Sequence, residues 1–168
     1  MNFYTSKKIQ NEFDRNLKDW FLGGPKEFGW TRTGPSIECK NAKLTSYSSM
    51  FVSVDDVLAK NFNETERWHM NFLRNKNSIF NTKYYCEYLY PRYGIESEKR
   101  AIYFIDLLED IKLNGIRKPI WLADVENLKI GFKYFRFNGC HRTCAAKFIG
   151  KKEIFSIVFK TNYNDYAF

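Results

Sequence analysis

The stretch from Phe132 to Lys160 constrains this chain more than any other. Phe132-Lys133-Tyr134-Phe135-Arg136-Phe137 alternates with the two-residue period of a strand and stops at Asn138-Gly139, where the chain must turn. A helix follows, with Cys144, Ala145 and Phe148 on one apolar face and Gly150 as its stop. Lys151-Lys152 then leads into Glu153-Ile154-Phe155-Ser156-Ile157-Val158-Phe159, whose β-branched and aromatic residues predict a second strand. The unit is strand, tight glycine turn, helix, strand, and it predicts an α/β chain.

A glycine turn at a helix start leaves backbone N–H groups outside the helical ladder, at the positive end of the helix dipole, where anions such as phosphate are attracted. Cys140, His141 and Arg142 sit at that spot. Arg142 can clamp a phosphate or carboxylate through two parallel hydrogen bonds, and positive surroundings would favour the thiolate of Cys140. The same residues also suit an ordinary turn in which Arg142 pairs with a carboxylate and Cys140 packs.

Asn138-Gly139-Cys140-His141-Arg142, followed by Ala145-Ala146, resembles the Gly-Cys-His-Arg signature of sulfiredoxins and the related Gly-x-x-Arg-x-x-Ala motif of ParB N-terminal domains. The segment from Leu107 to Ile120, with Asn114-Gly115 and Pro119-Ile120, is similar to the helix, Asn-Gly turn and strand that precede the signature in that superfamily. The resemblance covers about residues 98–160. It implies an α/β (α+β) domain, a compact mixed sheet flanked by helices, with residues 1–45 as an N-terminal extension and 62–97 as an inserted segment. It also implies that the turn at Asn138, Gly139, Cys140, His141, Arg142 and Thr143 cradles the phosphates of ATP or CTP with Mg²⁺, and that Arg117 and Lys118 border the nucleotide. Phosphoryl transfer to a small-molecule or protein acceptor is the activity expected from this. Kinases of the superfamily carry an acid just before the glycine, whereas this chain has Asn138, so Asp55, Asp56 or an acid of the insertion would have to act as base. By likeness to sulfiredoxins, the alternative is a cysteine sulfinic acid reductase in which Cys140 is the nucleophile and His141 and Arg142 hold ATP. A third expectation is a module that binds nucleotide or nucleic acid without catalysis.

The rest of the chain adds context. Its 168 residues suit one domain with a buried core. The absence of an apolar run near 20 residues predicts no membrane span and a cytoplasmic chain with reduced thiols. A net charge of +8 favours anionic partners, nucleic acid among them. Cys39, Cys86, Cys140 and Cys144 lie in no paired zinc spacing, although Cys140, Cys144, His141 and His69 are residue types that zinc accepts. Cys144, one helical turn after Cys140, is expected to pack in the core.

Residues Ser6 to Phe21 predict an amphipathic helix on Ile9, Phe13, Leu17 and Phe21. Met50 to Val54 predicts a short strand whose following Asp55 and Asp56 either enter the nucleotide pocket or cap a short helix. Asn63 onward predicts a helix to about Arg74. Residues Ile79 to Tyr90 form the most aromatic part of the chain and are expected to fill a small core, with base stacking among Arg74, Lys76, Lys83 and Arg92 as the other use. Glu98 to Asn114 predicts a helix with Ile102, Ile105, Leu108 and Ile111 on one face. Pro119 to Ala123 predicts a strand that returns antiparallel into Phe132 to Phe137.

Overall fold

The computed structural model describes residues 7–11, 44–57, 64–124, 126 and 133–161, and its frame is a four-stranded mixed sheet in the order β1-β4-β2-β3. The strands are β1 (Leu44–Ser53), β2 (Ile120–Asp124), β3 (Tyr134–Asn138) and β4 (Glu153–Thr161). β1 runs antiparallel to β4, with Val52 opposite Ile154, and β3 runs antiparallel to β2, with Leu122 opposite Arg136. β2 and β4 are parallel, with Leu122 opposite Val158. The expected strand, turn, helix and strand are therefore present from Tyr134 to Thr161, with Phe132 outside the described residues, and β4 slots between β1 and β2.

Six helices are described: α1 (residues 7–11), α2 (Val54–Val57), α3 (Glu64–Arg74), α4 (Tyr90–Tyr93), α5 (Ser97–Asn114) and α6 (Cys140–Phe148). Between α3 and α5 lie 3₁₀ turns at Lys76–Asn81 and Gly94–Glu96 and a π-helical turn at Tyr84–Leu89. Two apolar clusters meet at α6. Ala146 packs with Val52, Val54, Val57, Ile120, Leu122, Tyr134, Ile154 and Val158 over one face of the sheet. Cys144 and Ala145 pack with Phe72, Leu73, Tyr84, Leu89, Ala101, Phe104, Leu108 and Ile111 in the helical layer. Thr143 to Ala146 are each completely buried, which is why this helix carries only small residues there: anything larger would push the two layers apart.

The aromatic stretch fills the helical core as expected through Tyr84 and Leu89, while Phe80 and Tyr90 remain exposed. Two expectations need correction. β1 begins at Leu44 rather than Met50, and Val54 opens α2 instead of closing the strand. Residues 45–50 are exposed on both faces, so no hydrophobic alternation marks them; backbone pairing with β4 makes them strand. On α5 the buried stripe is Ala101, Phe104, Leu108 and Ile111, and Ile102 is 44% exposed. The stripe rotates because Ala101 and Phe104 face α6 and the stacked Phe72 ring, 5.6 Å from Phe104. Of the predicted N-terminal helix, residues 7–11 are helical with Ile9 buried; the remainder lies outside the described residues. Among the described residues, no helix is long and apolar enough to cross a membrane.

Candidate functional site

β3 ends at Asn138 and α6 starts at Cys140, so Gly139 alone makes the corner. Its φ is +104°, a conformation that L side chains rarely adopt, and a Cβ there would stand 2.4 Å from Cγ2 of Ile120 at the start of β2. Both facts require glycine. The corner therefore lies directly against the entrance of β2, and among the described residues no side chain caps the N-terminus of α6. The first N–H groups of a helix fall outside its i→i−4 ladder, and the dipole there is positive.

Arg142 ties the same corner together. Its Nη1 donates to the carbonyls of Lys118 at 3.2 Å and Pro119 at 2.8 Å, and its Nη2 donates to Asn138 Oδ1 at 3.4 Å. The guanidinium thus pins the β2 entrance to the turn before any ligand is considered. Thr143 is buried, with its hydroxyl donating to the Gly139 carbonyl at 2.9 Å, so its side chain closes the first turn of the helix. Asn138 and Lys118 are exposed at the rim. Lys118 forms no ion pair with another described residue, whereas Arg117 holds Asp110 at 2.6 Å.

His141 is turned inward. Its ring centroid lies 4.4 Å from that of Phe104 and 4.9 Å from that of His69, and its Nε2 shares a 2.7 Å hydrogen bond with the Tyr84 hydroxyl. Burial, then the guanidiniums of Arg136, Arg142 and Arg100, lowers its pKa from 6.5 to about 4. His141 is neutral at neutral pH and cannot supply positive charge to a phosphate. Burial also pushes the Tyr84 phenol well above its usual value, with Tyr88 and the thiols of Cys140 and Cys144 adding to the effect. The Tyr84 phenol therefore keeps its proton.

The structure brings together Asn138, Gly139, Cys140, His141, Arg142, Thr143 and Lys118. It does not bring Asp55 to them. Asp55 is ion-paired with Lys147, near the far end of α6, and Asp56 is exposed beside it in α2. Cys140 is half-buried in the first turn of α6, while Cys144 is sealed. Tyr84 and Phe104, which frame His141, carried no sequence signal of their own: one sits in a run of aromatics and the other on a helix. Two of the four cations named for the aromatic stretch are engaged, Lys76 by Glu109 at 3.0 Å and Arg92 stacked 3.9 Å over the Tyr88 ring. No family model, curated protein or solved structure matches this chain. What its fold defines is an α/β chain with a four-stranded mixed sheet and a glycine corner opening its central helix.

Proposed function

We propose that the chain binds the polyphosphate of a nucleoside triphosphate at the N-terminus of α6 and transfers the terminal phosphoryl group to an acceptor. The observation that carries this reading is the Gly139 corner. It is a left-handed turn closed against Ile120, opening a helix that has no side-chain cap, and beside it stands a lysine with no ion pair among the described residues. Backbone N–H groups at such a corner would hold phosphate oxygens, with Lys118 adding charge and Arg142 keeping the strand entrance in place. The turn from Asn138 to Thr143 offers no carboxylate for Mg²⁺, and Asp55 is engaged elsewhere. The metal would arrive on the phosphates, and the attacking group would be deprotonated from the acceptor's side of the site.

Calorimetric titration with ATP, CTP and ADP in Mg²⁺ tests this reading. Lys118→Ala should weaken binding about tenfold, the scale of one charge-assisted hydrogen bond, and leave the melting temperature unchanged. Arg142→Ala should lower both affinity and melting temperature, because that guanidinium also bonds the Lys118 and Pro119 carbonyls. No binding of any nucleotide by the wild-type chain would overturn the proposal.

The half-buried position of Cys140 in the first helical turn favours a second reading, the sulfinic acid reductase. Cys140→Ser should abolish such repair while leaving phosphoryl transfer to another acceptor intact.

A further inference from the structure

We infer that His69, Cys140 and Cys144 form a binding site for one Zn²⁺ ion, bridging α3 and α6. Cys140 and Cys144 lie one turn apart on α6, so their thiols share a face, and His69 comes from α3, which packs on that face. The imidazole nitrogen and the two sulfurs all lie within 4.8 Å of one another. Around a tetrahedral Zn²⁺, with bonds of about 2.3 Å to sulfur and 2.0 Å to nitrogen, such donors stand about 3.6 Å apart. A contraction of about 1 Å, within reach of side-chain rotation, would close the set on the ion.

The chemistry of the donors selects the metal. Two thiolates and an imidazole are soft to borderline ligands suited to zinc, whereas Mg²⁺ and Ca²⁺ require oxygens. Two thiolates with Zn²⁺ make a neutral unit, which a dry pocket accepts far better than it accepts separate charges. Aromatic rings surround the pocket: the His69 ring is buried, with ring centroids of Tyr84 at 4.3 Å, His141 at 4.9 Å and Phe104 at 5.5 Å. Three protein ligands leave one position open, and Cys140, the only partly exposed member of the set, gives water a way to it. The bound ion would fasten the aromatic-rich helical layer to the start of α6. This inference does not depend on nucleotide binding at the Gly139 corner.

The test uses the full chain, purified reduced and stripped with a chelator, then titrated with Co²⁺ as a spectroscopic probe. One equivalent should produce the visible bands of a tetrahedral site and a thiolate-to-cobalt charge-transfer band, both removed by one equivalent of Zn²⁺. Zn²⁺ should also raise the melting temperature, because only the folded chain assembles the three donors. Cys140→Ser, at a half-buried position that tolerates the change, should weaken Zn²⁺ binding by more than about 100-fold, the scale that altered supporting groups alone reach. His69→Gln should do the same. Cys86→Ser, at an exposed thiol outside the site, should keep the whole spectrum. A wild-type chain with no tetrahedral cobalt spectrum, or a Cys140→Ser chain that retains the full charge-transfer band, would overturn the inference.

Discussion

Arg117 and Lys118 are neighbours in sequence and look equivalent as phosphate contacts, yet their surroundings separate them. Arg117 donates to Asp110 at 2.6 Å, and Asn114 donates to the same carboxylate oxygen at 2.9 Å. These two hydrogen bonds, Arg117's first, hold the Asp110 pKa below its ordinary 3.8. The folded chain therefore keeps Asp110 ionised at a pH where the unfolded chain has begun to protonate it. The stabilisation is present above about pH 3.8 and is lost as pH falls through the lower folded value. Arg117→Ala should move the Asp110 titration, followed by NMR, up toward 3.8. If Lys118 is the phosphate contact, the same variant should leave nucleotide affinity within about twofold, since an exposed ion pair elsewhere contributes little to the site. A loss of affinity as large as that of Lys118→Ala would return Arg117 to the site.

At the scale of elements, the corner between β3 and α6 decides how the sheet and the helical layer join. Gly139→Ala meets two penalties, a φ of +104° and a Cβ overlapping the Ile120 side chain. Together these should cost about 3 kcal/mol, measurable by urea unfolding at an unchanged slope. A loss under about 1 kcal/mol would mean the corner relaxes easily and is no rigid anion cradle. This corner was legible in the sequence because strand, glycine, helix and strand occupy one contiguous stretch with a change of hydrophobic period at Asn138-Gly139. The antiparallel return of β2 into β3 was legible for the same reason. The length of β1 was not, since residues 45–50 owe their conformation to a partner more than a hundred positions away. The rotation of α5's buried face was hidden too: isoleucines mark an apolar stripe, but α6 and Phe72 select Ala101 and Phe104. In the candidate site, Asn138 to Thr143 could be read as a group, while the meeting of Tyr84 with His141, 57 positions apart, required α3 and the π-helical turn to pack on α6.

For the whole molecule, the central fact is that α6 belongs to both apolar clusters. Ala146 faces the sheet, and Cys144 and Ala145 face the helical layer, all without solvent exposure. Unfolding either cluster alone would open one side of α6 to water and remove the support of the Gly139 corner. The two layers should therefore unfold together, although their residues come from segments that alternate along the chain. Phe104→Ala, in the helical cluster, should cost about 3–5 kcal/mol, and Ile154→Ala, in the sheet cluster, about 2–5 kcal/mol. Both should lower the midpoint of one common denaturant transition, seen identically by far-UV circular dichroism and by tryptophan fluorescence, with the slope preserved. Two transitions, each moved by only one of the variants, would mean that the helical layer is a separate folding unit laid against the sheet. The anion corner and the thiol cluster would then sit at a boundary free to open, whereas a single transition makes α6 the fixed support on which both candidate sites are built.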